Sequence, residues 1–251
     1  MKSFPPFSKS FSIVAFAVGL PLLCLTQSAQ SKEFNPVKGL TLDQSSMLKA
    51  VGQPPGRGSV VQQRDLDILY RNQKSREPEE VSRSWAYLNK HLSSFQAAIG
   101  ADINKAPRIQ RSLPMFVKLV SAFQKELKIK FRRKRPYLSY PDIKPCLPLK
   151  DNWSYPSGHA TWYNITSLLM ADLLPLRRER ILEVARQAGH ARTYCGVHYP
   201  SDIEAAQRIA AAAATQIINS PQWKTFKSHP KTIKEVKKLL IPPPSGLPVM
   251  F

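Results

Sequence analysis

The sequence predicts an all-α protein, a single bundle-like helical domain. Three observations predict it. No segment alternates apolar and polar residues as a half-buried strand does. Several segments repeat apolar residues at helical spacing between Pro-rich breaks, and 251 residues suit one domain better than two. No internal repeat is present.

The elements follow in order. Lys2 and Lys9 precede an uncharged apolar run, Phe11 to Leu25, and then small polar residues including Ala29 and Ser31. This pattern predicts a signal peptide over 1–31, cleaved near Ser31. The run is short for a retained membrane anchor. Residues 32–58, ending Pro54-Pro55-Gly56-Arg57-Gly58, are expected to be an extended lead-in. Ser59 can cap a helix over 60–74, and Val81, Trp85 and Leu88 mark another over 79–92. A shorter piece is expected at 95–103. Ser112 is expected to cap the clearest helix, 112–131, with Pro114 in its first turn and Phe116, Leu119, Val120, Phe123 and Leu127 as its stripe. Four prolines make 136–155 a loop. Helices resume at 157–173, 177–192 and 200–218, the first capped by Ser157 and the last opened by Pro200. The main helical domain is thus expected over 59–220. Residues 221–251 are read as a C-terminal extension whose Pro242-Pro243-Pro244 and Pro248 favour an extended arm.

Charge narrows the function. The chain has 37 Lys+Arg against 17 Asp+Glu, a formal net charge of +20. Such a field attracts phosphorylated metabolites, nucleic acid or an anionic membrane surface. Nothing resembles a zinc finger, a helix-turn-helix or an aromatic RNA platform. Cys24 falls within the leader. Cys146 and Cys195 remain, and in an oxidising compartment their natural reading is a disulfide.

Three blocks carry chemistry. The first is Lys128, then six residues, then Arg135-Pro136. The second is Tyr155-Pro156-Ser157-Gly158-His159. The third is Arg192, five residues, His198, three residues, Asp202. Alone, the first reads as a solvated charge run, the second as a turn with a helix cap, and the third as an ion-pair cluster. Together they supply what phosphoryl transfer needs: cations for three equatorial oxygens, an in-line nucleophile and an acid for the leaving group. Lys128, Arg135 and Arg192 are the cations. Ser157 and Gly158 open a helix, whose free N–H groups favour an anion, and Gly158 allows close approach. Asp202 can orient His198 so that one ring nitrogen attacks, and His159 is left as the general acid. His159, His190, His198 and Asp202 form a conceivable metal set, but three cations would repel the ion and His190 matches no role. Neither a metal nor a cofactor is expected. His91 and His229 belong to none of the three blocks and are read as structural or exposed, and Tyr194 and Tyr199 are read as packing against either substrate or core.

These blocks resemble the signature of the type 2 phosphatidic acid phosphatase superfamily. The closest likeness is to class A bacterial non-specific acid phosphatases, and it extends weakly to Pro54 through Asp65 and to Cys146 and Cys195-Gly196-Val197-His198. The resemblance implies an exported, helical, metal-independent hydrolase acting through a phosphohistidine. It makes His198 the nucleophile, Asp202 its partner, His159 the general acid, and Lys128, Arg135, Ser157, Gly158 and Arg192 the phosphate site. The sequence departs from the pattern at Ala191, where the superfamily usually has Ser, and at Trp153 and Ala160, where the class has Gly and Thr. One lost hydroxyl removes a bond of about 1 kcal/mol. The implied partners are small phosphomonoesters, inorganic phosphate or vanadate in the site, and peripheral anionic surfaces; self-association is left open. The alternatives are a vanadium-dependent haloperoxidase-like enzyme, for which the chain is short, and a non-catalytic basic protein that binds anions or nucleic acid.

Overall fold

The structure is a computed structural model that describes residues 35–241 and Gly246. The leader, Cys24 and the Pro242–Pro244 and Pro248 segments lie outside the described residues. Every regular element among the described residues is helical.

Helix α1 spans Gln44–Val51, capped by Asp43, whose carboxylate accepts from the N–H groups of Ser45 and Ser46. It buries Met47 and Val51 and packs on the later α9, Pro200–Asn219. The 32–58 stretch is therefore not simply an extended lead-in. Two apolar side chains and one good cap are enough to dock eight residues. Helix α2, Val60–Lys74, starts at Ser59 as the cap predicts. Helix α3, Pro78–Ala86, ends earlier than expected, and short 3₁₀ turns and α4, Gln96–Ile99, replace the single piece expected near 95–103.

Helix α5 runs Pro107–Phe131 and begins five residues before the expected Ser112 cap. Pro107 is the proline of the first turn; Ser112 is buried within the helix. Pro114 lies inside and exposed, where the one backbone bond it removes can face water. The helix stops at Arg132, in the left-handed region at φ 48°. One short helical turn, α6, Pro136–Ser139, opens the otherwise irregular 136–157 loop.

Helix α7, Gly158–Leu173, is the central rod. It is nearly surrounded by α5, α8 (Arg178–Tyr194) and α9. Gly189 lets α8 and α9 touch: a Cβ there would stand 2.9 Å from Ile203 Cγ2.

The C-terminal segment adds α10, Pro221–Ser228, and α11, Pro230–Leu239, rather than an arm over its whole length. Trp223 and Phe226 are buried, and the Trp223 ring meets Phe116 edge-on at 5.0 Å. Glu235 accepts from the N–H groups of Arg108 and Ile109, both at 2.9 Å, and so supplies the cap that α5 lacks from Ala106.

Candidate active site

The site forms where three chain segments meet near the start of α7. The first is the end of α5 and the irregular stretch after it, which carry Lys128, Arg133 and Arg135. The second is the Ser154–His159 turn, and the third is the α8–α9 corner.

The corner fixes the imidazole. The N–H groups of Val197 and His198 both close on the carbonyl of Arg192, at 3.0 and 3.3 Å, which ties the end of α8 to the histidine. Gly196 takes φ 65°, and a Cβ there would lie 2.9 Å from Ile143 Cγ2. The Cys146–Cys195 disulfide, with Cα atoms 4.7 Å apart, joins the loop to this corner. Pro200 then starts α9 and places Asp202 in its first turn, where the carboxylate accepts from the N–H of Tyr199 at 3.0 Å.

Asp202 and His198 are both buried, with Nδ1 of His198 3.1 Å from Oδ2 of Asp202. Ser154 donates its hydroxyl to the same oxygen. Arg133 donates to Oδ1 at 2.7 Å. Burial pulls the Asp202 carboxyl up, but bonds from His198 and the charge of Arg133 outweigh it and hold the pKa low. An ionised Asp202 can only accept, so Nδ1 of His198 carries the proton. The other face gives the same tautomer. Arg135 Nη1 lies 3.2 Å from Nε2, and a guanidinium can only donate. Nε2 therefore presents a lone pair. Burial, followed by the charge of Arg135, holds the His198 pKa well below the ordinary histidine value, which keeps the ring neutral.

The three cations of the blocks are held by carbonyls, and none forms an ion pair among the described residues. Lys128 donates to the carbonyls of Trp153 and Ser154. Burial and the charge of Arg135 lower its pKa to about 7. Arg135 donates to Asn152 O at 2.9 Å and Val197 O at 2.7 Å. Arg192 makes only long bonds, to Ser84 O at 3.4 Å and Tyr87 O at 3.3 Å, and its buried Nε has no partner among the described residues. Burial lowers its pKa to about 10.

His159 sits in the first turn of α7, after the Ser157 cap. Its Nε2 donates to Leu88 O at 2.8 Å, so Nδ1 is the nitrogen able to exchange a proton. Burial, then Arg192 and Lys90, push its pKa down to about 3. A Cβ on Gly158 would stand 3.0 Å from Gln124 Oε1, so glycine keeps this turn open.

Lys128, Arg135, Gly158, His159 and His198 line one cavity of about 270 Å³. Ser157, Asp202 and Arg192 are buried and do not line it, although the charge of Arg192 reaches His159. A larger cavity of about 430 Å³, lined by Arg57, Arg133 and Tyr140 among others, holds no imidazole. Trp153 contributes its carbonyl and not its ring. Ala160 and Ala191 are simply buried. Tyr194 accepts from Glu77 N at 2.6 Å, and Tyr199 stacks under Arg133 at 3.9 Å, so both serve packing rather than the cavity. His190 lies 3.5 Å from Glu80, away from the imidazole pair.

The sequence reading missed several groups. Arg133, set aside within a basic run, bridges Asp202 to Asp65 (3.0 Å). Asp65 in turn accepts from Ser201 N at 2.9 Å, fixing the start of α9. Asn152 braces Arg135 through its side chain at 2.5 Å. Lys90, Lys125 and Lys150 stand around the cavity. Arg133 and Lys125 had a signal only as members of the basic run from Lys125 to Arg135, and Asp65 only through the weak N-terminal likeness.

Comparison with known proteins finds several acid phosphatases similar to this chain. The chain is 29% identical to the non-specific acid phosphatase of Providencia stuartii over 154 residues, 59% of this chain and 61% of that protein. It is 27% identical to the non-specific acid phosphatase of Salmonella typhimurium over 111 residues, 42% of this chain and 43% of that one. It is 27% identical to an acid phosphatase of Zymomonas mobilis over 183 residues, 66% and 67% of the two chains. The matches thus span between about two-fifths and two-thirds of the relatives' lengths. Residues 113–226 match the PAP2 superfamily. That segment, which holds all three sequence blocks, is what the chain shares with the PAP2 superfamily.

Proposed function

We propose that this protein is an exported, metal-independent acid phosphatase that hydrolyses phosphomonoesters through a phosphohistidine on His198. One observation carries the reading: the His198 imidazole, held at Nδ1 by Asp202, lines a cavity whose cations have no carboxylate partners among the described residues.

In the first step Nε2 attacks phosphorus and the P–O ester bond breaks. Nδ1 of His159 gives its proton to the departing oxygen. In the second step His159 takes a proton from water, the hydroxide attacks phosphorus, and the P–N bond returns its electrons to Nε2. Asp202 stabilises the positive ring between the steps. Arg135 must turn its Nη1 from Nε2 to a phosphoryl oxygen, and Arg192 must leave its two long carbonyl bonds. Lys128 and the α7 N-terminus complete the cradle. Unpaired cations here perform the charge neutralisation that a divalent ion would otherwise supply.

Protonation suits acid conditions. In the empty site His159 is neutral down to about pH 3. A bound phosphoryl group brings negative charge beside it and raises its pKa. A monoester also loses its second proton only near pH 6, so below that the substrate itself carries a proton into the cavity. Above about pH 7 the empty site loses the Lys128 charge. Export rests on the leader pattern in residues 1–31.

The test is purified protein with a chromogenic phosphomonoester at acid pH, with and without EDTA. Turnover is expected to resist EDTA and to vanish in His198→Ala. Quenched turnover should trap phosphate on His198, detectable by mass spectrometry. His159→Ala should slow poor leaving groups by about 10²–10⁴-fold and good ones less. EDTA-sensitive activity that persists in His198→Ala, or peroxide-dependent halide oxidation with vanadate in place of hydrolysis, overturns the reading.

A further inference from the structure

We infer that the mouth of the cavity holds a second anion subsite, formed by Lys90, Lys125 and Lys150, which selects phosphomonoesters whose leaving alcohol carries a further negative group, a carboxylate or a second phosphate. The inference rests on the phosphomonoesterase reading and narrows its substrate class.

The three lysines come from three separate segments: Lys90 follows α3, Lys125 lies on α5, and Lys150 belongs to the 136–157 loop. All three line the same cavity as His159 and His198. No acidic residue lines it, and none of the three lysines forms an ion pair among the described residues. They repel one another: after burial, the charges of Lys125, Lys150 and Arg192 are what lower the Lys90 pKa. Like charges gathered on a concave surface with no acid between them favour an anion there.

The charge exceeds what one phosphoryl group requires. A phosphomonoester brings about two negative charges. Lys128, Arg135 and Arg192 already meet them, and the mouth adds three more positive groups. Position assigns the surplus to the leaving group. In-line attack from His198 drives the ester oxygen toward His159, and the fields of Lys90 and Lys150 both reach the His159 ring. They therefore stand where the alcohol departs.

Exposed charge pairs change binding by roughly two- to fivefold each, so three together are expected to give about tenfold. The experiment compares kcat/KM of the full chain for 3-phosphoglycerate and glycerol 3-phosphate, two primary esters that differ in one carboxylate. At low ionic strength the ratio is expected to favour 3-phosphoglycerate by about tenfold. It should fall toward one as salt screens the charges. It should also fall toward one in Lys90→Gln/Lys125→Gln/Lys150→Gln and persist when the same three become Arg. A salt-independent ratio near one in the wild type overturns the subsite, as does a ratio unchanged in the Gln variant. The single variant Lys150→Gln and the wild-type salt series decide the matter if the triple variant fails to fold. If both esters are hydrolysed equally, only the subsite falls. If neither is hydrolysed, the phosphatase reading falls and the subsite with it.

Discussion

Arg133→Met is expected to destabilise the protein by about 3–5 kcal/mol, the cost of breaking a buried ion pair by removing one partner. The Arg133 side chain is 8% exposed and its two carboxylate partners are fully buried. Its Nη1 bonds Asp202 Oδ1 and Ser201 Oγ, both at 2.7 Å, and its Nη2 bonds Asp65 at 3.0 Å and Gln62 at 2.6 Å. Asp202 keeps three donors on Oδ2, but Oδ1 loses Arg133. Methionine fills much of the volume and supplies no donor. For a unit of this size each kcal/mol moves Tm by roughly 2–4 °C, so a drop of about 6–20 °C is expected by calorimetry at pH 7. The pH dependence has a definite sign. Arg133 helps hold the Asp202 pKa below its unfolded value, a contribution present above pH 3.8 and lost as pH falls. The gap between wild type and variant should therefore narrow on acidification. A cycle with Asp65→Asn should show coupling of about 1–3 kcal/mol. Lys134→Met, at an exposed neighbour, should stay within about 0.5 kcal/mol. An Arg133→Met variant that melts within 2 °C of wild type, or effects that simply add with Asp65→Asn, would refute the reasoning.

Three further outcomes are expected. Gly158→Ala should lower kcat/KM by about tenfold, because its Cβ meets Gln124 Oε1 at 3.0 Å, and Gln124→Ala in the same chain should restore part of the loss. Sulfate at fixed ionic strength should raise Tm more at pH 5 than at pH 8, and an Arg135→Ala control should lose the difference. The sign follows from His159: its folded pKa of about 3 lies below its unfolded value, so stability falls as pH drops below 6.5, by up to about 1.4 kcal/mol per unit, and an anion beside the ring reverses this. Cys195→Ser should cost about 4 kcal/mol, the chain-entropy value for a loop of 49 residues, seen as a lower urea midpoint that dithiothreitol reproduces in the wild type.

The parts of the fold that were legible carry strong local chemistry. Ser59, Ser157 and Pro200 mark helix starts that the structure places as read. The start of α5 was misread because Ala106 provides no cap; Glu235, from α11, does so across the chain. Helices α1, α10 and α11 have 8, 8 and 10 residues, too few turns for periodicity to show, and their docking residues matter only against a surface that does not exist until α5 and α9 are formed. At the centre of the candidate site, the residues gathered round one cavity, His198, His159, Lys128 and Arg135, were legible in the sequence as chemically matched blocks. Its support was not. Whether an arginine in a Lys/Arg run faces water or a carboxylate 68 residues away depends on the tertiary fold.

Pairing is what sorts this basic protein's cations. Arg133 has two carboxylates and a ring beneath it, and its pKa is raised: every neighbour favours its charge, so it is structure. Lys128, Arg135 and Arg192 have carbonyls and lowered pKa values; their surroundings disfavour the charge they must carry. Such an arrangement costs stability, and the cost is recovered only when an anion enters. On the proposed function, the same three positions that make the empty site unfavourable give it affinity for an anion. Removing one of them should therefore stabilise the empty protein while weakening anion binding. Arg192→Met, with its unpartnered Nε and two long bonds, is the most direct case. It should raise the apo Tm by a few degrees and abolish the sulfate-dependent shift. An apo Tm lowered by several degrees would place Arg192 with Arg133 among the structural cations and break the distinction.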